Sequence, residues 1–150
     1  MRMAIEKARE GVSQGQTPFA ACIVLNGEVL SCCHNVVWQT TDITAHGEIH
    51  AIRQACLNAK TIDLSGAVLY STCEPCPMCF AAIHWARIAK VIYGATIADA
   101  KQAGFHELTI SNEQMKSLGG SEVEIEGGFL REENVKVFEY FLSRANKKVY

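Results

Sequence analysis

Two short stretches of this sequence hold residues that could do chemistry together. One is Ser71-Thr72-Cys73-Glu74-Pro75-Cys76-Pro77-Met78-Cys79, and the other, upstream of it, is Thr44-Ala45-His46-Gly47-Glu48. A Cys-x-x-Cys pair opening a helix offers two thiolates one turn apart, a donor set suited to tetrahedral zinc. His46 is the candidate third ligand beside Cys76 and Cys79. The fourth position is then left for water or hydroxide, as in a catalytic rather than a structural site. Glu48, two residues past His46, is placed to move protons without binding the metal. The expected cofactor is one Zn²⁺ per subunit, and the expected chemistry is hydrolysis.

The elements that must position these residues are legible from periodicity. Residues 1–12 read as a helix, with Met3, Ile5, Ala8 and Val12 at helical spacing. Two apolar runs, 19–25 and 28–33, flank Asn26-Gly27, a strong hairpin signal because both residues tolerate positive φ. Residues 45–59 read as a helix with Thr44 as N-cap, and 67–71 as a strand leading into the cysteine loop. Pro77 suits the first turn of a helix running to about Ile88, and 90–95 is a further strand. Strand, helix, strand at this spacing implies a right-handed crossover and a parallel pair. Further on come a short helix near 111–118, an alternating strand over 122–126 and a last helix over 131–146. The sum is an α/β protein, a three-layer α/β/α sandwich around a mixed five-stranded sheet.

Composition bounds the function. A chain of 150 residues is expected to form one domain, and a hydrophobic content of 49% with 20% charged residues is that of a globular protein. No apolar run is long enough for a membrane span, and the charged start Met1-Arg2-Met3-Ala4-Ile5-Glu6-Lys7 does not read as a signal peptide. The expected location is therefore cytoplasmic. In that compartment the seven cysteines are metal ligands or small core residues rather than a disulfide framework. Cys22, Cys32, Cys33, Cys56 and Cys73 are assigned to the core. A net charge of −2 gives no footprint for nucleic acid. His50 lies four residues after His46, but Gly47 stands where a zinc protease needs glutamate directly after its first histidine. A redox role for the Cys-x-x-Cys pair leaves the His-x-Glu stretch unexplained.

H-x-E followed by P-C-x-x-C resembles the signature of the zinc nucleobase deaminases. Over nearly its whole length the sequence resembles the cytidine deaminase superfamily, and within it the purine branch typified by the bacterial guanine deaminases. The matching pieces are Pro18-Phe19-Ala20, Asn35, the two stretches above, Trp85-Ala86-Arg87, Ala103-Gly104-Phe105 and the terminal Asn146-Lys147-Lys148-Val149-Tyr150. The resemblance implies that His46, Cys76 and Cys79 bind zinc and that Glu48 shuttles protons. It implies that Asn35 hydrogen-bonds a purine, that Phe19 and Trp85 wall the base, and that Glu107 handles protons near the tail. It also implies a homodimer in which the C-terminal helix and tail, 131–150, pass between subunits, so that Tyr150 closes the partner's site. Two departures stand out. Gly47 replaces the family's usual alanine, and His106-Glu107 replaces its Asp-Asp.

The reaction implied is deamination of a purine base, guanine to xanthine and ammonia. The alternatives are a deaminase of guanosine or another amino-purine or triazine, a tRNA adenosine-to-inosine deaminase, and a catalytically silent zinc-binding subunit. The tRNA branch usually carries valine where this chain has Phe19, and silent subunits typically lack the glutamate that Glu48 supplies.

Overall fold

A computed structural model describes residues 1–150. The chain runs α1 (Arg2–Ser13), β1 (Ala20–Leu25), β2 (Glu28–His34), α2 (Val37–Thr40), α3 (Gly47–Ala59), β3 (Val68–Cys73) and α4 (Pro77–Trp85). It continues through β4 (Lys90–Ala95), α5 (Ile97–Gln102), α6 (Asn112–Gly119), β5 (Glu124–Glu126) and α7 (Arg131–Leu142). The five strands form one sheet in the order β2-β1-β3-β4-β5. β1 pairs antiparallel with β2 and β3, while β3, β4 and β5 run parallel. This is the expected mixed sheet, with the β3–α4–β4 crossover in the middle. No helix is long and apolar enough to cross a membrane.

Helices α3 and α4 cover one face through Ala51, Ala55, Phe80 and Ile83, which pack with Ala21, Ile23, Leu69 and Val91 of the sheet. On the other face α1 and α7 bury Ile5, Ala8, Val12, Val137, Phe138 and Phe141. Alternate residues of β1 thus serve opposite layers, as the pleat requires. Asn26 and Gly27 take φ of 52° and 82°, the turn geometry that their types suggested.

Several expectations are corrected. The α3 helix starts at Gly47 with His46 as its N-cap residue, and the His46 side chain makes no capping bond. Thr44 instead closes a local turn, its hydroxyl donating to Asp42 Oδ1 at 2.6 Å. The strand expected over 122–126 shortens to three residues, and the last helix stops at Leu142. Helices α2 and α5 are additions; α5 opens with a capping box between Thr96 and Asp99. Cys22 and Cys32 are not independent core residues, for their sulfurs are joined across the hairpin in a disulfide. Cys33, Cys56 and Cys73 are free.

Candidate active site

The site forms where β1, α3, β3 and α4 converge. Extended backbone at His46 and at Cys76, with φ,ψ of −62°,159° and −63°,165°, turns each residue into a helix N-terminus. Both helices therefore begin at one crevice. His46 Nδ1 lies 3.6 Å from Cys76 Sγ and 3.6 Å from Cys79 Sγ. All three donor atoms fall within 4.8 Å of one another. A tetrahedral ion with typical Zn–S and Zn–N bonds separates its sulfur and nitrogen ligands by about 3.6 Å. Donor type and spacing both fit zinc.

Glu48 is buried and accepts a hydrogen bond from Ser71 Oγ at 2.9 Å through Oε1. Its Oε2 faces Cys79 Sγ at 3.5 Å. Burial, followed by the charge of Cys76, pushes the Glu48 carboxyl above its usual range. Hydrogen bonding from Cys79, opposed by burial and helped by His46, pulls the Cys76 thiol down to about 4. The same Cys76 contact, reinforced by burial, holds Cys79 protonated well above its ordinary value. Burial works against His46 carrying a charge, but Cys76 and Glu48 outweigh it and raise its pKa. Without a cation, one thiol of the pair keeps its proton; a bound cation would remove it.

A cavity of about 20 Å³ is lined by Phe19, His46, Glu48, Cys73, Glu74, Cys76 and Glu107. That is room for about one water. Glu107 is half-buried here, and burial, followed by the Cys76 charge, pushes its carboxyl up to about 7. Phe19 packs edge-on against Phe105 at 4.8 Å and Phe138 at 5.6 Å, so its ring is fixed. Asn35 is fully buried; its Oδ1 accepts from Val37 N at 3.0 Å and its Nδ2 donates to the Tyr150 hydroxyl at 2.7 Å. The Tyr150 ring stands 5.7 Å from that of His46, and its carbonyl accepts from His106 N at 3.0 Å. The tail thus reaches its own chain's site.

Trp85 is not brought to this cavity. It is 82% exposed at the end of α4 and touches the His84 ring. Sequence reasoning missed Ser71, which orients Glu48, and Trp38, whose ring meets Tyr150 at 6.2 Å. It also missed Thr72, whose hydroxyl accepts from Ala20 N at 3.1 Å and ties β1 to the cysteine strand. Ser71 and Thr72 lie beside the cysteine motif, but nothing in their spacing signals which distant group each one meets.

A zinc-dependent deaminase is the class that this fold and donor set define. Residues 1–95 match the family model for the cytidine and deoxycytidylate deaminase zinc-binding region, and the chain belongs to that family. It is similar to the guanine deaminase of Bacillus subtilis (strain 168), at 38% identity over 100% of this chain and 96% of the relative. It is also similar to that organism's tRNA-specific adenosine deaminase, at 33% identity over 99% of this chain and 89% of the relative. Among solved structures, guanine deaminase from Nitrosomonas europaea superposes with a TM-score of 0.86 at 25% identity, over 95% of this chain and 84% of that one. The net charge therefore excludes less than it suggested, since one of these relatives is named for a tRNA substrate.

Proposed function

We propose that this chain hydrolyses the exocyclic amine of a purine base, guanine giving xanthine and ammonia. The observation that carries this reading is the Tyr150–Asn35 hydrogen bond, which holds the chain's own terminus against the His46 side of the site. A site bounded in this way suits a free base, whereas a polynucleotide needs an open groove along which its backbone can lie. The similarity to a guanine deaminase along the full chain supports the same assignment.

In this reading His46, Cys76 and Cys79 hold the zinc. When bound, zinc brings the pKa of a water to about 7 and so makes a nucleophile available at neutral pH. Glu48 takes up a proton at Oε2 while Ser71 holds Oε1, and delivers it to the departing amine nitrogen. The new C–O bond replaces the C–N bond, and ammonia leaves. Asn35 presents its amide N–H to the base, its Oδ1 being committed to Val37. Phe19 walls the ring, and Glu107, which lines the cavity beside His46 and Cys76, exchanges protons with the bound heterocycle. Small-molecule sites commonly enclose about 300–1,000 Å³. A cavity of about 20 Å³ is too small for a purine, so groups around it must move for the base to enter, and the tail held beside His46 is one that can. In a homodimer the same tail, 131–150, would serve the neighbouring subunit, and the exposed Trp85 would find its contacts across that interface.

The test is ammonia release from guanine, guanosine, adenine, cytosine, cytidine and ammeline, alongside inosine formation in a tRNA anticodon hairpin. Release from guanine above the others supports the proposal. The second reading, a tRNA adenosine deaminase, draws on the similarity to such an enzyme and on the exposed Arg144, Lys147 and Lys148 of the tail. Inosine without xanthine would replace the first reading with the second.

A further inference from the structure

The loop that carries Cys76 is held by groups that lie outside the zinc-binding region, which ends at residue 95. Glu74 is the centre of this arrangement. It is 8% exposed and has no cationic partner, yet both its oxygens are engaged. Oε1 accepts from the backbone N–H of Asn112 at 2.9 Å, and Oε2 from that of Ile97 at 3.4 Å. Asn112, fully buried, returns the contact: its Nδ2 donates to the Pro75 carbonyl at 2.6 Å. The Glu74 N–H donates to Ala95 O at 2.8 Å, extending the β3–β4 ladder one residue past the strand.

Residues 97 and 112 are the two ends of a segment that passes through the site. Between them lie Phe105, packed against Phe19, and Glu107, which lines the cavity with His46 and Cys76. One carboxylate thus grips both ends of the Glu107 segment while standing two residues before a zinc-ligand candidate. A glutamine would not do the same work, since its single carbonyl oxygen can face only one of the two N–H groups and its amide would turn N–H toward the other.

We infer that Glu74 and Asn112 are positioning residues: together they lock the Cys76 loop and the Glu107 segment into one register, and so set the affinity and geometry of the metal site. Glu74 borders the cavity, but both its oxygens are committed to backbone N–H groups, and Asn112 is not among the lining residues. Groups bonded directly to metal ligands are typically worth about 10- to 100-fold in metal affinity; Glu74 and Asn112 act one step further out, through the loop backbone, so the lower end of that range is expected. The inference rests on His46, Cys76 and Cys79 as the ligands.

The experiment compares full-length parent, Glu74→Gln, Asn112→Ala and, as a control, Asn134→Ala. Asn134 is equally buried but serves the start of α7, donating to Phe129 O and Leu130 O away from the metal. Zinc affinity is read by chelator competition, ligand geometry from the visible bands of the Co²⁺-loaded protein, and local order by hydrogen exchange over residues 103–111. Glu74→Gln and Asn112→Ala are each expected to lose about tenfold in zinc affinity, to shift the cobalt bands and to exchange faster in that segment. Asn134→Ala is expected to melt earlier with cobalt bands and zinc affinity unchanged. If Glu74→Gln fails to fold, Asn112→Ala decides alone, because it keeps the backbone N–H that Glu74 uses. Zinc affinity within twofold of the parent and unchanged bands in the folded variants would overturn the inference. Absence of thiolate-type cobalt bands in the parent would instead overturn the ligand assignment beneath it.

Discussion

Gly47→Ala is the substitution on which packing and helix propensity disagree most openly. The bacterial guanine deaminases that this sequence resembles usually place alanine at this position, and alanine favours a helix over glycine by up to about 1 kcal/mol. Here Gly47 opens α3 directly beneath the start of β1. A Cβ at Gly47 would lie 2.9 Å from Ala20 Cα, 3.2 Å from Ala20 N and 3.2 Å from Phe19 O. Carbon atoms pack at about 3.5–4.0 Å, and all three neighbours are backbone. None can rotate away. Ala20 N is also tied to Thr72 Oγ1, so yielding would disturb the sheet beside the cysteine strand. Overpacking of this sort costs about 1–3 kcal/mol. Set against the propensity gain, the net loss is about 1 kcal/mol, or about 2–4 °C in melting temperature for a chain of this size.

The functional effect should exceed the stability effect, because Gly47 lies between His46 and Glu48. A displacement of about 1 Å at a reacting group can cost up to about 100-fold in rate. Thermal melting of the zinc-loaded protein, zinc content and kcat on the best substrate are the measurements. The expected result is a modest fall in melting temperature, full zinc content and a fall in kcat of at least tenfold. A Gly47→Ala protein that melts higher than the parent and turns over equally well would refute the close approach of β1 and α3.

Three further outcomes follow from the same geometry. Glu48→Gln keeps the size and the Ser71 contact but cannot carry the proton, so metal analysis should find zinc retained while ammonia release drops about 10²- to 10⁴-fold; persistent turnover contradicts the role. Deleting Val149 and Tyr150 removes the partner of Asn35 Nδ2 and should raise KM and lower kcat, with unchanged kinetics refuting that role for the tail. In metal-free protein, Glu107 sits at about 7 when folded against an ordinary 4.5, so its favourable contribution is complete below 4.5 and is lost as pH rises through 7. The full difference corresponds to about 3 kcal/mol, reduced to about 1–2 by partial exposure. Urea titrations of metal-free Glu107→Gln should therefore match the parent at pH 4 and exceed it at pH 8.

The metal half of the site was legible because its signal is one-dimensional. Cys-x-x-Cys before a helical run fixes two donors a turn apart, and Asn26-Gly27 fixes a hairpin, whatever the rest of the chain does. The Cys22–Cys32 pair shows where that reasoning ends. A plain two-residue hairpin pairs Leu25 with Glu28 and, stepping back, Cys22 with Ser31. The observed register jumps between Ile23 and Val24, so that Ile23 meets Ser31 and Cys22 meets Cys32. A bulge of one residue, with no mark in the sequence, decides which sulfurs meet. Thr44 fails for a related reason: the residue type suits an N-cap, but His46 must stand at the helix start to face the cysteines. Ser71 and Glu74 bond to groups brought near only by folding, and no spacing rule reaches them.

Charge completes the case for the ion as part of the structure. Cys76, Cys79, Glu48 and Glu107 crowd one largely buried crevice, and His46 is the basic residue among them. In the metal-free form the molecule manages this by retaining protons: Cys79 stays a thiol, and Glu48 and Glu107 are both pushed up, by burial first and by the Cys76 charge next. A divalent cation reverses each of these preferences, so metal binding must release protons and must strengthen as pH rises. Zinc binding and the ionisation of Glu48 are then linked.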